Sequence, residues 1–233
     1  MVRRLVLWDI DGTLLTTGPV GRLALEIGAS RAAGIGDVPE VVMGGKTDPQ
    51  IVREILALAG LDRHEIERML PAALEEAQRV LAAGIDRMQA EGGVHPGVRE
   101  LLDALAATGG VRQTLLTGNV VPNAVVKVDA FGLDAYFDVE IGAYGSDHAR
   151  RDRLVPIAMS RARELRGEDY DPGEVWVIGD TEHDLSCARA AGVRCLIVGT
   201  GHEGFGAVRT LEADAVLESL ADTELALEIL EQR

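Results

Sequence analysis

Two aspartates one residue apart close an apolar run near the start of the chain, Val6-Leu7-Trp8-Asp9-Ile10-Asp11-Gly12-Thr13. Leu5, Val6 and Leu7 read as a buried strand. Side chains alternate along a strand, so Asp9 and Asp11 are expected to project to the same side near its C-terminal end. Gly12 permits a sharp turn, with Thr13 just beyond. Two carboxylates held that close repel each other unless a cation or a shared proton relieves them. A divalent metal with an incoming phosphate is the common solution, which marks a candidate phosphoryl-transfer site. The same pair can instead satisfy the backbone N–H groups of a turn. An EF-hand loop starting at Asp9 fails, because it needs Asp or Asn at Thr13 and Gly at Leu14. The metal-binding Asp-x-Asp of a sugar-nucleotide transferase finds no supporting nucleotide site nearby.

Two later stretches repeat the arrangement of an apolar strand ending in polar groups. In Thr114-Leu115-Leu116-Thr117-Gly118-Asn119 the Thr117 hydroxyl falls at a strand's C-terminal end, where open α/β sheets place their ligands. Gly118 permits close backbone approach, and a helix starting near Val121-Pro122 offers free N–H groups to an anion. The bland alternative makes Thr117 or Asn119 a helix cap. In Val175-Trp176-Val177-Ile178-Gly179-Asp180-Thr181-Glu182-His183-Asp184 a buried strand again ends in a carboxylate, and Asp184 follows at a helix start. Either aspartate can merely cap that helix, but Asp180 repeats the placement of Asp9 on a second strand end. His183 reads as a partly exposed bystander.

Asp-x-Asp-Gly-Thr, then Thr-Gly-Asn, then Gly-Asp-x-x-x-Asp, in that order and each after a strand, resemble the signature of the haloacid dehalogenase superfamily, in particular its phosphoglycolate phosphatase-like members. The resemblance implies a magnesium-dependent phosphatase acting on a small phosphorylated metabolite through an aspartyl-phosphate. It makes Asp9 the nucleophile and Asp11 the general acid/base. It gives Thr117 to the transferring phosphate, with Thr13, Gly118 and Asn119 around the substrate. Asp9, Asp11 and Asp180 are assigned to Mg2+, and Asp184 acts on it through a coordinated water. A phosphosugar mutase shares these residues and is the alternative activity. A catalytically idle binding module on the same fold is the alternative from another class.

The superfamily also needs a cation, usually Lys, between the second and last motifs. The chain has only Lys46 and Lys127. Lys127 falls about two helical turns beyond Thr117 and is expected to run away from the strand ends. Arg151, in Ala149-Arg150-Arg151-Asp152-Arg153-Leu154, is the first choice and Arg153 the next. A planar guanidinium replaces a point charge there. Gly44-Gly45-Lys46-Thr47-Asp48 resembles a substrate-contacting cap loop, with Lys46 as the candidate contact; one surface Lys before a helix is the plain alternative. Gly199-Thr200-Gly201-His202-Glu203-Gly204 matches Gly-x-Gly-x-x-Gly only formally. It follows a late strand rather than the first one, so a glycine-rich loop on the active-site rim is the reading.

The elements that must position these residues fall into two blocks. Residues 16 to 92 read as helices: one through Leu23 to Ile27, one started by Asp48 as N-cap with Pro49, and one over about 63–83 that Pro71 breaks or kinks. From Pro96 onward helices alternate with short strands at 113–116, about 139–141, 175–178 and 195–198, which argues for a parallel sheet covered on both faces. The expected fold is an α/β, Rossmann-like doubly wound core over 1–15 and 93–233, with an inserted all-helical cap over 16–92. With 47% hydrophobic and 26% charged residues the chain is a globular one. Aromatics at 3% leave the core to Leu, Val, Ile and Ala. A net charge of −15 argues against a nucleic-acid partner. No stretch reaches transmembrane length, and Cys187 and Cys195 have no metal-ligand or redox spacing, so a cytoplasmic monomer or homodimer is expected.

Overall fold

The computed structural model describes residues 3–232. Strand β1 (Arg4–Trp8) is buried throughout and lies at the centre of a six-stranded sheet. The others are β4 (Val111–Thr117), β5 (Ala143–Tyr144), β6 (Val175–Gly179), β7 (Arg194–Val198) and β8 (Ala215–Leu217). Their order is β5-β4-β1-β6-β7-β8, and every neighbouring pair is parallel. Leu7 of β1 stands opposite Thr114 on one side and Val177 on the other.

The alternation along β1 divides the core into two layers. Val6 and Trp8 pack into one cluster with residues of α5 (Val98–Ala107), α6 (Val121–Ala130) and α10 (Thr223–Glu231). Leu5 and Leu7 face the opposite cluster, with α7 (Leu154–Arg166) and α8 (Glu182–Ala191). A short helix, α9 (Gly204–Val208), adds Val208 to that second layer. Because β4 and β6 flank β1 and their helices cover opposite faces, the chain diverges beyond the C-terminal ends of these strands. That divergence is where this topology opens a crevice.

Between the first two core strands the chain leaves through β2 (Leu15–Thr16) and returns through β3 (Gly93–Val94), which pair antiparallel. Two residues per strand give no readable periodicity, so this ribbon escapes the sequence pattern. The excursion holds α1 (Val20–Ala33), α2 (Asp48–Leu58), α3 (Arg63–Ala83) and α4 (Ile85–Glu91). It has its own apolar cluster, including Leu25, Ile51, Ile55, Ile66, Leu70 and Ala77. A smaller cluster of Val20, Ala24, Leu81 and Met88 joins it to Ala130 of α6.

Three local expectations are corrected. Helix α3 runs on through Pro71. The proline is exposed, as is Glu67 one turn earlier, so the carbonyl deprived of its N–H partner faces water. The N-cap of α2 is Thr47, not Asp48. Its hydroxyl accepts from the Gln50 N–H at 3.3 Å while Gln50 Oε1 accepts from the Thr47 N–H at 3.0 Å, a capping box. The fifth strand lies at Ala143–Tyr144, not 139–141, because only two residues there pair with β4. Among the described residues, no helix is long and apolar enough to cross a membrane.

Candidate active site

The loops after β1, β4 and β6 meet in the crevice. Asp9 follows β1 directly and its N–H donates to the Ile178 carbonyl of β6 at 2.9 Å, which fixes the chain just before the site. Gly12 then turns the chain with φ +89°, and a Cβ there would stand 2.4 Å from Asp180 Oδ2. The turn therefore needs glycine for its conformation and for the approach of that carboxylate.

Asp9, Asp180 and Asp184 are buried, with one carboxylate oxygen from each lying within 4.8 Å of the others. The two aspartates of the Asp180–Asp184 stretch converge because Asp180 ends β6 while Asp184 sits in the first turn of α8. Asp184 is held there by the Thr181 hydroxyl (2.7 Å) and the Thr181 N–H (3.1 Å). Thr13 is also buried, and its hydroxyl donates to Asp180 Oδ1 at 3.1 Å, so it orients this cluster. Burial, with Arg151 opposing and Asp184 and Asp11 adding, pushes Asp9 up to about 7. Burial together with Asp184 and Asp9 pushes Asp180 up to about 8.

Arg151 is the cation the structure brings to this cluster. Its side chain is 7% exposed, and Nη2 lies 2.9 Å from Asp9 Oδ1 and in contact with Asp184 Oδ1. Burial works against its charge, but the carboxylates of Asp184 and Asp9 outweigh burial and hold it protonated. A short 3-10 turn over Arg151–Arg153 directs Arg151 inward and leaves Arg153 exposed. Arg150 pairs instead with Asp152 at 2.5 Å.

Asp9 and Asp11 do not share one environment, although Asp11 is close enough for its charge to raise Asp9. The strand ends at Trp8, and Asp11 lies in the turn, bridged to Leu15. Its carboxylate stands outside the group of three and accepts from Lys127 Nζ at 2.5 Å and Asn119 Nδ2 at 2.8 Å. Asn119 Nδ2 also donates to Thr117 Oγ1 at 3.1 Å. The expectation that Lys127 runs away from the strand ends is corrected. Helix side chains lean toward the helix N-terminus, and a Lys on the second turn of α6 reaches back to the crevice. Lys127 is nearly buried, and Nζ is also close to Gly21 of α1, where a Cβ would lie 3.7 Å away.

The loop before α2 sits directly on this machinery. The Asp48 N–H donates to the Gly118 carbonyl at 2.8 Å, and a Cβ on Gly118 would meet the Lys46 carbonyl at 2.2 Å. Buried Asp48 Oδ2 accepts from the Val120 N–H and from Asn123 Nδ2, each at 2.9 Å. Sequence reasoning gave Asp48 to a helix cap and missed this contact. The available signal was an acid next to Thr47, which can itself cap the helix and so leaves Asp48 free for another role. Lys46 Nζ turns to Glu54 Oε2 at 2.5 Å. His183 is exposed beside Gly45, and the glycine-rich loop does reach the rim, where the Thr200 hydroxyl donates to the Gly12 carbonyl at 2.6 Å.

A divalent cation fits this donor set. Once ionised, the three buried carboxylates would set three negative charges against one from Arg151; all donors are hard oxygens, and two of the acids are held well above their ordinary range, as a site short of positive charge requires.

The comparisons with known proteins agree with this geometry. Residues 6–189 match the family model for haloacid dehalogenase-like hydrolases. A phosphoglycolate phosphatase of Cupriavidus necator is 30% identical over 220 residues, covering 92% of this chain and 89% of that protein. One from Pseudomonas fluorescens is 29% identical over 204 residues, covering 85% and 70%. The crystal structure of CbbY from Rhodobacter sphaeroides, in complex with phosphate, covers all of both chains with a TM-score of 0.66 at 25% identity. A β-phosphoglucomutase from Clostridium difficile, at 18% identity and TM-score 0.70 over 99% of this chain and 97% of its own, shares the fold. With most of its length matched by the family model, and with Asp9 and Asp180 at two strand ends gathered with Asp184 of α8, the chain belongs to the haloacid dehalogenase-like hydrolase family.

Proposed function

We propose that the protein hydrolyses a small phosphate monoester through a phosphoryl group carried on Asp9. The observation that carries this reading is the separation of two carboxylate environments two residues apart. Asp9 is buried against Arg151, Asp180 and Asp184, while Asp11 is part-exposed against Lys127 and Asn119. On this reading Asp9 is the nucleophile and Asp11 moves the proton.

In the first half-reaction an Asp9 carboxylate oxygen forms a bond to phosphorus and the ester oxygen leaves, taking a proton from Asp11. In the second, water attacks the phosphoryl group, Asp11 takes a proton from that water, and Asp9 is released. Arg151 works against the upward shift that burial imposes on Asp9, favouring its anionic form, and offers its guanidinium to the phosphoryl oxygens. Thr117 Oγ1 and the backbone N–H groups of Gly118 and Asn119 stand at the end of β4 for the same purpose. Lys127 and Asn119 hold the Asp11 carboxylate in place. Asp9 and Asp180, with Asp184 behind them, would hold Mg2+, which supplies positive charge against the phosphate dianion. Residues 16–92 act as a cap over a core of 1–15 and 93–233, excluding bulk water through the loop 46–48.

The test is phosphate release from a generic aryl phosphate. Turnover with magnesium, its loss in excess chelator, and its loss in Asp9→Asn are expected. Undiminished turnover in Asp9→Asn overturns the assignment of the nucleophile.

A further inference from the structure

Asp48, at the start of α2, is bonded to the chain on both sides of Asn119, the side chain that reaches Asp11. The Asp48 N–H donates to the Gly118 carbonyl at 2.8 Å, and Asp48 Oδ2 accepts from the Val120 N–H at 2.9 Å. These two bonds straddle Asn119, one on the residue before it and one on the residue after it. The Asn119 carbonyl is fixed in turn by the Gly145 N–H at 2.9 Å. A Cβ on Gly145 would stand 2.0 Å from the Gly118 carbonyl, so these segments meet backbone to backbone. With its main chain held in this way, Asn119 sends Nδ2 to Asp11 Oδ2 at 2.8 Å and to Thr117 Oγ1 at 3.1 Å. Asp48 and Asn119 are both buried, so water does not compete freely for these bonds.

Two features separate this arrangement from ordinary helix capping. Thr47 and Gln50 already close the N-terminus of α2, so the Asp48 carboxylate is not needed by its own helix. Helix α6, in contrast, has no side-chain cap of its own, and Asp48 supplies a negative charge at its start from another part of the chain. Burial raises the Asp48 carboxyl above its ordinary value despite the nearby Lys127, whose ammonium is the one paired with Asp11. Asp48 and Asp11 thus feel the same cation and are joined through the same asparagine. We propose that Asp48 is a positioning residue for proton transfer to the leaving group. By gripping Gly118 and Val120 it places Asn119, and Asn119 aims the Asp11 carboxylate at the ester oxygen. Asp48 itself touches no reacting atom. Misplacing a reacting group by about 1 Å can cost about 10²-fold in rate, so a remote grip of this kind is felt in the chemistry. The proposal rests on the phosphatase reading above, in which Asp11 protonates the ester oxygen.

The experiment measures kcat/KM with magnesium for a nitrophenyl, a phenyl and an alkyl phosphate. A nitrophenolate departs with little help from an acid, whereas a phenolate or an alkoxide needs the proton. Asp48→Ala is expected to lose at least tenfold more on the phenyl and alkyl esters than on the nitrophenyl ester. Asp48→Asn keeps an oxygen acceptor for Val120 and is expected to restore the wild-type dependence on the leaving group. Asn119→Ala is expected to show the same steepening, and the double variant Asp48→Ala/Asn119→Ala no more of it, since the two act in series. Thermal unfolding checks that each variant is folded at the assay temperature. If the Ala variant is not, Asp48→Ser, whose hydroxyl falls one bond short of the carboxylate oxygen, is read in the same way. An equal loss on all three esters overturns the proposal, as does steepening that multiplies in the double variant or an Asn variant as impaired as the Ala one. Asp11→Asn is the reference for a lost proton donor. If it keeps the wild-type dependence, the phosphatase reading has misplaced that donor, and the proposal falls with it. No turnover of any ester by the wild type sinks the phosphatase reading as a whole.

Discussion

Replacing Arg151 by Ala removes the only cation in contact with Asp9 and Asp184 among the described residues. Two consequences follow from the geometry. The first is on stability. The Asp9, Asp184 and Arg151 side chains are 7%, 0% and 7% exposed, so the loss leaves two buried carboxylates without their counter-charge. Breaking a buried pair from one side costs about 3–5 kcal/mol, and the metal-free protein is expected to show a loss of that order at pH 8. The second is on activity. Losing one preorganised donor to a developing charge costs about 2.7–4 kcal/mol, so kcat on an aryl phosphate is expected to fall about 10²–10³-fold at saturating magnesium. Arg151→Lys keeps the charge but not the fork that reaches both carboxylates, and is expected to retain more activity than the Ala variant. Arg153→Ala, on the exposed side of the same turn, is expected to change either quantity little. The assay is aryl phosphate turnover beside thermal unfolding for the three variants. Turnover of Arg151→Ala within threefold of wild type would refute the reasoning, and an equal loss in Arg153→Ala would move the cation.

The metal-free protein should lose stability as pH rises. Asp9 and Asp180 keep protons in the folded state up to about 7 and about 8, against an ordinary 3.8. The native state therefore binds more protons than the unfolded chain across pH 4–8, and stability drains away through that window. In chelator, Tm is expected to be lower at pH 8 than at pH 5.5, with a weaker slope in Asp180→Asn and with magnesium present; an unchanged slope in both argues against the raised acids. Asp48→Ala leaves the Val120 N–H and Asn123 Nδ2 without their buried acceptor, at about 1–3 kcal/mol for each orphaned group, whereas Asp48→Asn keeps an acceptor and should cost less. Urea titration of the two variants checks this, and equal stability of Ala and wild type contradicts it. Gly201→Ala would place a Cβ 1.8 Å from Asp180 Oδ2, so its carboxylate must move. The expected result is a magnesium requirement raised at least tenfold in a titration of activity, and an unshifted titration counts against Asp180 as a ligand.

The local sequence determined which polar side chains stand at the strand ends and much of the frame. Apolar runs ending in Asp9, Thr117 and Asp180 mark strand ends, because a fully buried parallel strand must be apolar and can turn polar only where it leaves the sheet. Helices such as Leu154–Arg166 are equally legible from their spacing. Other features required the tertiary structure. Which of several arginines turns inward depends on one 3-10 turn packed against α8, and no spacing rule separates Arg151 from Arg153. The reach of Lys127 back to Asp11 is set by how α6 lies against β1 and α1. The role of Asp48 appears only when the loop before α2 is seated on Gly118 and Val120, at least seventy residues away. The pairing of Lys46 with Glu54 is likewise invisible in a composition. Hydrophobic pattern fixes where strands and helices begin and end, since it acts through neighbours along the chain. Partners of charged side chains are chosen across loops that the pattern does not constrain, so only the packed structure decides them.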